Sequence, residues 1–158
     1  MEKFLENLEK AEKIVQTTDH MIYVTFPLFK DKRLLLKILL EIKIAVSSCI
    51  NSILQYEYLY KKISLYKDPK TNFRTFEEEC APRYKISKED IRLILELFDL
   101  VKKHKESPFE FIRNEKIVIL SEDLRTRTLT IEKIKRYLIL TKDILRKTKQ
   151  SINSSNLR

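Results

Sequence analysis

Glycine is missing altogether from this 158-residue chain, and its absence excludes whole classes of function. The phosphate-cradling loops of P-loop and dinucleotide-binding folds need glycine for tight turns and close backbone approach. Nucleophile elbows and glycine-capped helices are excluded for the same reason. A nucleotide-hydrolysing or nicotinamide-dependent enzyme of a familiar kind is therefore not expected. Cysteine is scarce too. Cys49 and Cys80 stand apart with no Cys or His at metal-ligand spacing, so no metal or cofactor is expected.

Long apolar runs are also lacking. The longest uncharged run, residues 44–56, is too short to span a bilayer, so no membrane association is expected. The N-terminal MEKFLENLEKAEK is charged and amphipathic rather than a basic stub followed by an apolar stretch. No secretory signal is read there, and a reducing, cytoplasmic location is expected.

What the chain does have is charge: 35% of residues are charged and the net is +9. Residues 1–20 carry three lysines against five acids, a net of −2, whereas residues 125–158 carry ten cations against Glu132 and Asp143, a net of +8. Phosphate-rich partners are the usual reason for such asymmetry, and a solvated helix face is the common alternative.

Hydrophobic periodicity predicts a mainly α fold, a bundle of about four main helices. The first helix is expected over about residues 2–26, with Phe4, Leu5, Leu8, Ala11, Val15, Ile22 and Phe26 recurring at helical spacing. Pro27 should end it, because the residue before proline avoids helical geometry. Asp31 can cap a second helix over about residues 32–63, apolar around most of its circumference and so central, with only a narrow stripe of Lys37, Glu41, Ser48 and Gln55 exposed. In its middle, SSCINS supplies small side chains that either allow close helix approach or line a cavity. Residues 67–86 form a connection with one short helix. Ser87 and Asp90 then make an acidic capping box for a third helix running to about His104. Thr130 caps a fourth, running to about Lys149, with Ile134, Tyr137, Leu138, Thr141, Ile144 and Leu145 inward. Between these last two helices, after a stop expected at Ser107-Pro108, Phe109 to Ile112 alternate, Ile117 to Leu120 run apolar and Leu124 to Leu129 alternate again. With turns expected at Asn114-Glu115 and Ser121-Glu122-Asp123, residues 109–129 predict a β-hairpin or three-stranded meander. One domain is expected over residues 1–150, with residues 151–158 as a flexible tail.

The candidate binding residues follow from the charge. Lys135, Lys142, Arg146 and Lys149 fall on one helical stripe, and Arg125 and Arg127 project from one side of the preceding strand. Together they are suited to tracking a phosphate backbone; a solvated face of ordinary cations has the same pattern. Tyr56 and Tyr60 share a helix face ahead of Lys61, Lys62, Lys67 and Lys70, a combination that stacks unpaired bases while neutralising phosphates. Tyrosines closing the end of a helical core look alike. His104 lies at a helix C-terminus, where a cation is favoured anyway. A metal-free ribonuclease would use it as a base with Arg113 as its electrostatic partner.

An all-helical chain of this size is similar to the HEPN ribonucleases and the helical partners of nucleotidyltransferases. Their signature is an arginine followed four to six residues later by histidine. No arginine precedes His20, and Arg92 lies too far before His104, so the resemblance implies no nuclease site here. The segments DHMIYVTFPLFKDKRLLLKIL (19–39) and CAPRYKIS (80–87) resemble uncharacterised archaeal all-helical proteins. That resemblance covers about half the chain and implies no activity. The function expected is a non-catalytic module binding RNA or another polyanion. A protein-interaction module or homodimeric adaptor is the alternative, with the acidic first helix and basic last helix complementing each other.

Overall fold

The computed structural model describes residues 2–107, 109–114, 116–121 and 123–156. In chain order the elements are α1 (Lys3–His20), α2 (Phe26–Phe29), α3 (Lys32–Leu59), α4 (Pro69–Thr75) and α5 (Lys88–Glu106). The strands β1 (Phe109–Arg113), β2 (Lys116–Leu120) and β3 (Thr126–Leu129) follow, and α6 (Ile131–Asn156) closes the described chain. The protein is thus mainly helical, with a small antiparallel sheet between α5 and α6.

Apolar residues at helical spacing decide the packing. α1 runs antiparallel along α3, where Ser52 Oγ donates to the Phe4 carbonyl at 2.7 Å and Asn7 Nδ2 donates to Gln55 Oε1 at 2.8 Å. Ser48, Cys49 and Ser52 are all buried, so Ser48 does not belong to the exposed stripe expected to include it; at Ser52 a small side chain lets the two backbones approach. Ser47 and Asn51, from the same stretch, line a largely apolar groove of about 660 Å³ between α3, α4 and α5. α6 packs on α3 and is antiparallel to both α1 and α5, which take opposite flanks. On one flank Lys149 meets Glu12 and Lys142 meets Asp19; on the other Tyr137 meets Glu96 and Lys147 meets Asp90.

The local signals for helix starts behave as their chemistry demands. Asp31 accepts from the Arg33 N–H at 3.0 Å, and Thr130 Oγ1 accepts from the Lys133 N–H at 3.2 Å. Ser87 and Asp90 form the reciprocal box, each side chain bonded to the other's backbone N–H at 3.1 Å. Pro27 behaves differently. The helical coil continues through it, because Met21–Thr25 forms a π turn in which the Phe26 N–H reaches back to the Met21 carbonyl. The wider turn relieves the clash that a proline ring makes with the carbonyl four residues earlier. The chain breaks only at Lys30, which adopts φ 50°.

Without glycine, other residues must take the left-handed positions. Among the described residues these are Lys30, Lys61, Lys85, Asn114 and Leu124. Lys61 and Lys85 end helical segments in Schellman geometry. The Lys62 N–H donates to the Glu57 carbonyl and the Ile86 N–H to the Ala81 carbonyl, both at 2.9 Å. This is why α3 ends at Leu59 rather than at residue 63. A Cβ costs about 1–2 kcal/mol in this conformation, part of which glycine returns through its freer unfolded chain. Lys61→Gly and Lys85→Gly are each expected to stabilise by about 1 kcal/mol, raising Tm by about 2–4 °C. Thermal melts with unchanged or lower midpoints for both variants would contradict this.

Residues 109–129 form the meander, in the order β1-β2-β3. Ile117 and Ile119 on β2 and Leu129 on β3 turn towards the helices and are buried. Phe111 and Ile112 on β1 do not follow them and remain 38% and 58% exposed; Phe111 pairs with Val118 and so lies on the face opposite Ile117 and Ile119. The expected turns at Asn114-Glu115 and at Ser121-Glu122-Asp123 include Glu115 and Glu122, and the expected stop at Ser107-Pro108 includes Pro108; these three lie outside the described residues. Two further expectations are corrected. Arg125 precedes β3, in a turn where Asp123 Oδ1 accepts its N–H at 3.2 Å. The tail expected from residue 151 starts as helix: α6 continues to Asn156 because Ile152 is fully buried. Residues 157–158 lie outside the described residues.

Candidate anion-binding cleft

The six cations singled out by the sequence do not form one surface. Lys142, Arg146 and Lys149 share a shallow hollow of about 290 Å³ on α6. Each already has a carboxylate: Lys142 pairs with Asp19 of α1, Arg146 with Asp143 at 2.6 Å, and Lys149 with Glu12 at 2.6 Å. Arg127 turns the other way. Its position opposite Ile119 puts it on the helix-facing side of the sheet, where it meets Asp99 of α5 at 3.5 Å. Arg125 pairs with Asp123 at 3.6 Å in its own turn. Five of those six cations are therefore matched by a carboxylate within the chain. These pairs are partly exposed and individually weak, but each must be given up before a phosphate can replace it.

Lys135 is the exception. Its Nζ lies 5.4 Å from the centre of the Tyr23 ring and has no carboxylate partner among the described residues. It opens instead onto a cleft of about 360 Å³ where three separate pieces of chain meet. The α2 corner brings Lys30 and Lys32, the β1–β2 turn brings Lys116, and the start of α6 brings Lys135 and Glu132. None of the four lysines has an ion pair among the described residues. Lys32 Nζ sits 5.4 Å from the Phe26 ring centre, an attraction to the ring quadrupole that leaves its charge uncancelled.

Backbone geometry adds to this charge. Ile131 and Glu132, at the first positions of α6, line the cleft. Lys133 and Ile134 send their N–H groups back to Thr130, so the N–H groups of Ile131 and Glu132 are those a helix start leaves without an intrahelical partner. The positive end of the 26-residue helix therefore opens at the cleft. Ile22, Phe26 and Pro27 form an apolar wall. Tyr23, beside Lys135, is 50% exposed, and Phe29, two residues after Pro27, is 73% exposed. Helical spacing from Phe26 puts Phe29 and Lys30 on one side.

The aromatic pair named from the sequence fares differently. Tyr56 is buried, its ring edge-on to Phe4 at 5.1 Å and beside Tyr60 at 4.7 Å, so it cannot stack a base. Tyr60 is exposed, as are Tyr58, Leu59 and Tyr66. Near it lies a buried polar group. Glu57 is 3% exposed, with one carboxylate oxygen 3.6 Å from Arg83 and no hydrogen bond to that oxygen among the described residues. Burial, and then the negative charge of Glu57, push the Cys80 thiol up to about 11 and the Tyr84 hydroxyl well above its ordinary range. Burial alone raises Cys49 to about 12. Thiols held neutral in this way are poor nucleophiles. His104 Nδ1 is bonded to Glu110 Oε1 at 2.8 Å, a partner that its place in the sequence does not reveal.

Comparison with protein-family models, with curated proteins and with solved structures finds no match to this chain.

Sequence reasoning finds Lys135 but misses Lys30, Lys32, Lys116, Tyr23 and Phe29. One signal is present: PLFKDKR places two large apolar residues and three cations at a corner between helices, where they have little core to enter. Lys116 gives no such sign, since only the fold brings the β1–β2 turn to that corner.

Proposed function

We propose that this chain is a non-catalytic RNA-binding module. A bundle of four main helices holds a lysine-lined cleft against the phosphate backbone. The observation that carries this reading is the convergence of Lys30, Lys32, Lys116 and Lys135 on one cleft, where Glu132 is the only acid among the described residues. Uncompensated lysines give up no ion pair on binding and release counterions from the nucleic acid. Phe29 and Tyr23 at the rim offer faces for unpaired bases, which favours single-stranded over duplex ligands. The stripe is then mainly structural: Lys142 and Lys149 close α6 onto α1, and Arg146 pairs with Asp143 within α6.

Two double charge reversals separate the cleft from the stripe. Lys116→Glu with Lys135→Glu is expected to weaken single-stranded RNA binding tenfold or more. It should also lower the slope of log K against log salt by about 1.4, the share of two phosphate contacts. Lys142→Glu with Arg146→Glu should leave both nearly unchanged. Parent-like binding by the cleft variant in a salt titration sinks the assignment.

A second reading rests on the other end of α3, about 40 Å away by helix rise. There Tyr58, Leu59, Tyr60 and Tyr66 are each at least half exposed, a surface suited to a protein partner or a second copy. Light scattering decides it: a dimer that persists in 1 M salt supports this reading, and a monomer at all concentrations removes the homodimer.

A further inference from the structure

We propose that the cleft takes the terminal phosphate monoester of a single-stranded nucleic acid, with the adjoining base against Phe29 or Tyr23. This rests on the RNA-binding reading and narrows it from backbone tracking to recognition of a strand end.

Charge is the first argument. Among the described residues the cleft sets four ammonium groups against one carboxylate, a surplus of three positive charges in about 360 Å³. An internal phosphodiester brings a single negative charge. A terminal monoester brings nearly two at neutral pH, with three oxygens free to accept hydrogen bonds. Of the two, the monoester comes nearer to the charge that the described residues leave unmatched.

Enclosure is the second. Lys32 and Lys135 are half-buried, each held at 5.4 Å from an aromatic ring that steadies the ammonium without neutralising it. Partly desolvated charges gain more from a dianion than exposed ones do, because the surrounding dielectric is lower. The unshared N–H groups of Ile131 and Glu132 lie on the same lining as the lysines, so ammonium and backbone donors can act on one group. The volume is near the lower end of small-ligand sites, enough for a phosphate and its sugar.

Shape is the third. Ile22, Phe26 and Pro27 wall one side with apolar surface, and the half-exposed Tyr23 ring lies 5.4 Å from Lys135 Nζ of the same lining. A phosphate seated among the lysines would have its sugar against that wall and its base at the ring. Bases inside a duplex are already stacked and offer no face there.

The test uses the intact chain and three fluorescent ten-nucleotide uridine oligomers at one salt concentration. One carries a 5′-phosphate, one a 3′-phosphate, and one hydroxyls at both ends. The expected result is that one phosphorylated form binds about tenfold tighter than the hydroxyl form, from the second charge acting at a partly desolvated site. Lys116→Gln with Lys135→Gln should abolish that preference, as should Lys30→Gln with Lys32→Gln if the first pair fails to fold. Equal affinity for all three oligomers overturns end recognition while leaving RNA binding in place. No binding of any oligomer overturns both. Inorganic phosphate that binds where the oligomers do not also overturns both, and identifies a small-molecule site instead.

Discussion

Raising the pH from 9 to 11 is expected to remove about 4 kcal/mol of stability through two buried thiols alone, most of what a marginally stable domain has. Four buried groups act in the same direction. Cys49 and Cys80 ionise at about 12 and about 11 when folded, against 9.0 for the free thiol. Tyr84 and Tyr137 are pushed above their ordinary range, first by burial and then by Glu57 and Glu96 respectively. As pH rises, the unfolded chain releases these protons first, so it gains stability relative to the fold. The native advantage is complete below pH 9 and falls by about 1.4 kcal/mol per pH unit for each thiol. The tyrosines add to the loss above pH 10. Denaturant midpoints measured in reducing buffer from pH 8 to 11 read this directly. In Cys80→Ala, whatever its own cost, the slope between pH 9 and 10 should be shallower by one proton. A midpoint that stayed flat to pH 10.5 would mean that the thiols are not buried as described.

Truncating Tyr137 is expected to be among the most damaging single substitutions this fold can suffer. Its side chain is fully buried, at the point where α6 faces α5, and its hydroxyl donates to Glu96 Oε1 at 2.6 Å. Tyr137→Ala removes an aromatic ring from a closed core and should cost about 3–5 kcal/mol. Tyr137→Phe keeps the packing and loses the bond. Because Glu96 is exposed, water can replace the hydroxyl as its partner, and the cost should be about 1 kcal/mol. Urea midpoints for the pair separate packing from hydrogen bonding. Equal losses would show that the hydroxyl, not the ring, holds α5 to α6.

Much of the helical architecture could be read in advance because its signals are local. The capping partners of Asp31, Ser87 and Thr130 lie within three residues, and the buried face of α6 repeats along the sequence as expected. The alternation of residues 116–129 likewise marks strands wherever one face is buried. Local rules failed where a compensation was itself unusual. Pro27 sits within a continuous helical coil because a π turn precedes it, and lysines occupy left-handed caps because no glycine was there to do so.

The candidate site was much less legible, for a different physical reason. Whether a lysine is free depends on which carboxylate lies within a few ångströms of it, and here that carboxylate is often distant in sequence. Lys142 finds Asp19 across 123 positions, and Lys149 finds Glu12 across 137. Lys30, Lys32, Lys116 and Lys135 look no different in composition, yet they meet around one cleft with a single acid among the described residues. The sequence by itself determined the helical class, the place of the sheet, the start of each long helix and the exclusion of glycine-dependent phosphate loops. Only the tertiary structure decided which positive charges are spent on the fold and which face outward. Periodicity and capping act within a turn of chain, whereas charges are paired by distance through space.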